Sequence, residues 1–220
     1  VEAHQQLLWE IQVRQNGLAE RQLACENPND WSLDGGGYEE VFAQQVQLAQ
    51  VAFSCDLTRV LTLNVGDHGL KAITGEAGDI HDAYAHDIRT SDRAADIVTT
   101  HYQQLVRHFV DLVQGLDSVA DPHGDGAQSL LDNTVVLWLN ELGDSTHSFD
   151  QLPVVIAGGS AFSDFRLGQY VHLPATTPVQ AWSLDGLTPS MGVPHQRLLV
   201  TVAQQLGLSV DQVGLDTLST

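Results

Sequence analysis

Thr134-Val-Val-Leu-Trp-Leu139 is a nearly unbroken apolar run that leads straight into Asn140-Glu-Leu-Gly-Asp-Ser-Thr-His147. A short apolar run bounded by turn residues reads as a buried strand of the kind found in parallel sheets. Open α/β sheets gather ligands and chemistry on the loops at the carboxyl ends of such strands. Glu141 and His147 then belong to one such loop. A second run, Arg59-Val-Leu-Thr-Leu-Asn-Val65, reads as a strand and precedes a loop carrying Asp67, His68, His81, Asp82, His86 and Asp87. Two loops rich in carboxylates and imidazoles point to an oxygen/nitrogen metal site.

The helices fall on either side of these runs. Residues 3–24 carry apolar positions at Leu7, Ile11 and Leu18, one face of a helix. A second helix over 37–55 has Phe42, Val46, Ala49 and Phe53 on its stripe. Ser91 is the expected N-cap of a long helix with Val98, Tyr102, Leu105, Phe109, Leu112 and Leu116 at a 3.6-residue period. That pattern puts His101 and His108 on its solvent side. Asp121-Pro-His-Gly-Asp-Gly126 is a turn-rich connector. Pro153-Val-Val-Ile-Ala157 is a third strand, ended by Gly158-Gly159, and residues 160–192 are irregular apart from a short strand near 170–173. Pro194 opens a last helix through Leu206, with Gly207 as its C-cap. The alternation predicts an α/β fold with a doubly wound, mostly parallel sheet and helices on both faces. Residues 1–220 read as a single domain, incomplete in this chain, because three strands are few for such a sheet.

Composition narrows the partners. Twenty-eight acidic residues stand against nine basic ones, a formal net charge of −19, and Lys71 is the only lysine. Such a surface repels nucleic-acid phosphates and anionic membranes. No apolar run approaches the roughly twenty residues needed to span a bilayer, so membrane insertion is not expected. The charge suits a salty extracellular medium, where screening relieves self-repulsion. Cys25 and Cys55 are the only cysteines. A helix pair could bring them together as a disulfide in an oxidising compartment, and two separate buried thiols are the other reading.

Candidate ligands follow from spacing. Asp82 and His86 are four apart and would share one face of a helical turn, with His81 and Asp87 flanking them. The competing reading is a solvated polar loop. Glu141 arrives directly off a strand, with His147 six residues on; here the plain alternative is an exposed turn. His195 opens the last helix, where the dipole disfavours a cationic imidazole and leaves it a neutral role such as a metal ligand. His172 and the Asp67-His68 pair are weaker versions of the same chemistry. Asp121 and Asp125 lack the ligand ladder and terminal Glu of a calcium loop. The sequence has no nucleophile elbow, Walker loop, dinucleotide fingerprint, C-x-x-C or H-E-x-x-H motif. The catalytic residues are therefore unknown.

Residues 130–144, then His147, then Leu152-Pro-Val-Val-Ile-Ala-Gly-Gly159, resemble a secreted bacterial family of unknown function grouped with the alkaline phosphatase and sulfatase superfamily. Val51-Ala-Phe53, Asp56-Leu-Thr-Arg-Val60, His81-Asp82, His86 and His195-Gln-Arg-Leu-Leu-Val200 agree with it. The resemblance spans roughly residues 1–215 and covers the C-terminal part of such proteins. It implies an alkaline-phosphatase-like fold and a secreted, periplasmic or cell-surface location. It also implies a divalent cofactor (Zn, Ca or Mn) held by Asp82, His86, Glu141 and His147, with His81 and His195 in support. The nucleophile would lie in an N-terminal part of the same protein. The activity implied is hydrolysis of phosphoric or sulfuric esters. The adjacent Asp-His pair of true phosphatases is replaced by Glu141 and a more distant His147. That departure leaves room for a degenerate enzyme, or for a non-catalytic structural or binding subunit of an extracellular assembly.

Overall fold

The computed structural model describes residues 37–64, 74–124, 127–144, 147–148, 151–162, 166–174, 178–183 and 186–214. The expected helix over 3–24 and the Asp67-His68 pair lie outside them. The chain groups into two compact units, Val1–Thr134 and Val135–Thr220.

In the first unit, α1 spans Tyr38–Ser54 and buries Val46, Ala49, Val51, Ala52 and Ser54. Glu39 and Glu40 in its first turn oppose the positive end of the helix dipole. Its end is a Schellman turn: Asp56 N–H donates to Phe53 O and Leu57 N–H to Ala52 O. Asp56 sits at the left-handed position, with φ of 50°, where glycine is usual. Its carboxylate accepts from Arg59 at 2.9 and 3.0 Å, which holds its pKa below the ordinary carboxylate value. Cys55, at the helix end, is buried and disulfide-bonded. The sequence holds one other cysteine, Cys25. Beyond Arg59 the strand-like run up to Asn64 alternates exposed and half-buried residues but forms no ladder among the described residues.

A one-turn helix α2 (Ile80–Ala83) and a 3-10 turn (Ala85–Asp87) lead into α3, Asp92–Asp117. Ser91 caps α3 as expected, its Oγ accepting from Ala94 N–H at 3.2 Å. The buried stripe is rotated from the expected one: Ala94, Ile97, His101, His108 and Leu116 face inward. Tyr102 is 42% exposed, while His101 and His108 are 3% and 1% exposed. The solvent-side expectation for these two histidines is therefore overturned. The apolar arc of α3 is wider than one stripe, and α1 packs on the edge where His108 lies. Phe42 stacks on His108 with ring centroids 4.0 Å apart, and Tyr38 tilts against it at 5.2 Å.

Helices α1 and α3 run in the same direction, because their contacts ascend together. Gln104 Nε2 donates to Glu39 Oε1, and Gln50 Nε2 donates to Gly115 O at 2.6 Å. A Cβ on Gly115 would lie 2.8 Å from Val46 Cγ1.

In the second unit, β1 (Val135–Leu139) and β2 (Val154–Gly158) match the expected strands. They pair antiparallel, Val135 opposite Gly158 and Leu139 opposite Val154. The intervening segment lacks helical periodicity, and a parallel pair needs a crossover that is usually a helix. A second hairpin, β3 (Pro178–Ser183) and β4 (Gly186–Met191), arises where the sequence reads as irregular. Pro189 is tolerated there because each strand of a two-stranded sheet has a free edge. The stretch at 170–173 forms no strand. Helix α4, Gln196–Gln205, ends in a Schellman turn on Gly207, φ 83°, as the sequence indicates. Among the described residues, every strand pair is antiparallel.

Two outcomes test this packing. Gly→Ala inside a helix ordinarily stabilises by about 1 kcal/mol. Here Gly115→Ala lowers the urea midpoint, and Val46→Ala in the same chain removes most of that extra cost in a double-mutant cycle. Second, both ring nitrogens of His108 and the Tyr38 hydroxyl are buried without a hydrogen bond among the described residues, although Glu39 Oε2 lies 3.8 Å from His108 Nε2. An unmet buried polar group costs about 1–3 kcal/mol, against about 0.5–1.5 for an aromatic pair. His108→Leu and Tyr38→Phe therefore leave the melting temperature unchanged or raise it; a clear fall for either refutes this account. Burial, then the charge of Glu39, raises the Tyr38 phenol above 10.0. A raised folded value means stability fully present below pH 10 and lost as pH climbs through it, and Tyr38→Phe flattens that alkaline loss.

Candidate metal centre

Gly78, with φ of 112°, swings the chain into α2 in a conformation that a side chain resists. Asp79 caps that turn: Oδ1 accepts from the His81 and Asp82 backbone N–H groups at 2.7 and 3.0 Å. The helix stops at Ala83 because Tyr84, at φ −137° and ψ −42°, leaves the helical path. A 3-10 turn follows, and its Asp87 carbonyl accepts from Thr90 and Ser91 N–H just ahead of α3. A continuous series of turns thus fixes the histidine loop to the start of the long helix.

The break at Tyr84 decides which donors meet. Asp82 and His86 would share a face only if one helix ran through both. Instead His81 and His86 converge, their Nε2 atoms 3.1 Å apart and their rings nearly perpendicular at 87°. Both rings are exposed. Imidazole nitrogens about 2.0–2.1 Å from one zinc ion stand about 2.9–3.4 Å apart for angles from 90° to tetrahedral. The observed separation lies inside that range. It equally suits one N–H donating to the other ring's nitrogen, as between two neutral imidazoles.

Three residues brace the loop that sequence spacing did not single out. Arg93 Nη2, in the first turn of α3, donates to both carboxylate oxygens of Glu76, at 2.9 and 3.0 Å. The Tyr84 hydroxyl lies 3.2 Å from Ala77 O and 3.4 Å from Glu76 Oε2. Asp79, which the sequence reading passed over, carries a local signal, a capping residue type directly after a glycine; the Glu76–Arg93 pair carries none.

Each remaining candidate is described on its own element. Glu141 is exposed two residues beyond β1. His147 is exposed with φ of 62°, in a turn closed by Gly143 N–H to Ser148 O at 2.7 Å and by His147 N–H to Asp144 O at 3.2 Å. His195 is the exposed N-cap of α4, with no side-chain capping bond. His172 is exposed and outside any strand. Asp121 is buried at 8% exposure with its carboxylate engaged by His123 N–H and Asn133 Nδ2, a structural use of the group. Comparison with protein-family models, curated proteins and solved structures found no match. The chemistry of the loops must carry the functional argument.

The cap gives a direct check. Replacing an Asp N-cap by Ala costs about 0.5–2 kcal/mol where the capped helix belongs to the cooperative unit. Asp79→Ala is expected to accelerate amide exchange at His81 and Asp82 while exchange within α3 stays unchanged. Unaltered exchange at both residues would contradict the cap.

Proposed function

We propose that this chain binds a divalent metal through His81 and His86 and forms part of a secreted, metal-dependent hydrolase-like protein of the phosphatase/sulfatase type. The observation that supports the reading is the 3.1 Å approach of the two imidazole nitrogens. Of Zn, Ca and Mn, this donor pair favours zinc, since calcium takes six to eight oxygens and manganese prefers carboxylate and water. A bound ion would polarise an ester oxygen as a Lewis acid. His81 and His86 would hold it, and Asp79 would fix the backbone that carries His81. Glu141, His147 and His195 enter the proposal as the further ligands that the sequence resemblance implies.

The doubly wound sheet remains part of the proposal, and the direction of α1 and α3 lends it support. Two parallel helices in sequence require the chain between them to return the length of the pair. In α/β folds that return is made by a strand, and Arg59–Asn64 has the sequence of one. The exposure of both imidazoles favours a second reading, a binding or structural subunit that keeps the metal and lacks turnover.

Full-length protein, dialysed against chelator and then reloaded, tests both. Zinc content by elemental analysis is expected to fall in His81→Ala and in His86→Ala. Each loss should exceed the roughly 10–100-fold effect of an outer partner. Hydrolysis of aryl phosphates or sulfates only when metal-loaded identifies the enzyme; stoichiometric zinc without turnover identifies the subunit. No bound metal, and melting curves indifferent to chelator and to both substitutions, sinks the metal reading.

A further inference from the structure

We infer that Glu76 is a positioning residue for the His81–His86 pair, setting through Tyr84 the distance at which the two imidazoles can hold zinc. The inference rests on the metal reading above and adds a residue that takes no part in ligation. The geometry turns on Tyr84. His81 lies three residues before it and His86 two after, on α2 and on the 3-10 turn. The angle between those two short elements is set at the Tyr84 backbone, so that backbone sets the separation of the rings. The Tyr84 side chain is held at its far end, where its one hydroxyl proton is shared between Ala77 O and Glu76 Oε2.

Glu76 is in turn tied to α3, the longest described element of the first unit, through the Arg93 contacts at 2.9 and 3.0 Å. Positions 76, 84 and 93 thus bracket both histidines, and one carboxylate joins them. Arg93 is 74% exposed and Glu76 29%. An ion pair so open to water adds little to global stability. Its effect is local: it selects one arrangement of a loop whose elements are too short to be rigid alone. A chelate with fixed donors binds more tightly than the same donors on a mobile loop, since less ordering is left to binding.

Titration calorimetry with zinc chloride on the full chain, beside a thermal melt of each metal-free variant, tests this. Glu76→Ala and Tyr84→Phe are expected to weaken zinc binding about 10–100-fold, the range for residues that orient ligands, with little change in melting temperature. Glu76→Gln retains an acceptor for Tyr84 without the charge that Arg93 uses, and falls between Glu76→Ala and the parent. Asp56→Asn, which breaks an exposed ion pair away from the loop, leaves zinc affinity unchanged. In metal-free protein, ring-to-ring nuclear Overhauser contacts between His81 and His86 persist in the parent and fade in Glu76→Ala. Zinc affinity and ring contacts both unchanged in Glu76→Ala overturn the inference while the metal reading stands. A parent that binds no zinc overturns the metal reading and the inference together.

Discussion

The first unit depends on a close approach between α1 and α3 at Gly115. Any side chain there would press on Val46 and on the amide of Gln50, so the glycine carries a packing role rather than a turn role. The amide in return donates to the Gly115 carbonyl. This gives a buried-edge polar group its partner and fixes the rotation of one helix on the other. Once that register is set, Phe42 and Tyr38 meet His108, and Glu39 meets Gln104. The upper part of α3 and its Ser91 cap then project beyond α1 as the support to which the histidine loop is joined.

The helices were legible in the sequence because their signals are local. Ser91 and Gly207 mark ends that the backbone uses, and the apolar spacing of α1 names residues that are buried or half-buried. The face of α3 was not legible. Val98, Tyr102, Leu105 and Phe109 form a better apolar stripe than Ala94, Ile97, His101 and His108, and counting hydrophobicity puts imidazoles outside. What decides the matter is α1, sixty-five residues away, with aromatic rings that accept a histidine face. Strands 135–139 and 154–158 were legible as strands, but strand direction depends on the connection between them. The 178–191 hairpin carries Asp185-Gly186 and a Pro at each strand, a mixture of turn and breaker signals that masks the pairing.

At the candidate site the residue types were legible and the pairing was not. Spacing alone joins Asp82 to His86, on the assumption of an unbroken helix. One non-helical residue, Tyr84, replaces that pair with His81 and His86. The exchange changes the chemistry, since a carboxylate–imidazole site tolerates hard cations and a two-imidazole site discriminates against them. The acidic residues around the loop still favour cation approach, and the overall charge of −19 acts in the same sense.

Both cross-helix hydrogen bonds between α1 and α3 span the same sixty-five positions. That constant offset bears on how the chain folds. None of this interface is available to a growing chain until most of α3 has been synthesised, so α1 must wait for the helix that packs on Phe42 and Val46. Closing the loop costs entropy that rises only logarithmically with length, about 0.6 kcal/mol for each doubling. Timing therefore depends on the helices finding their register, and barely on how many residues separate them. The number of residues spent between the helices therefore matters little to closure, provided that the chain returns to the head of α3 with the turns from Glu76 to Ser91 intact.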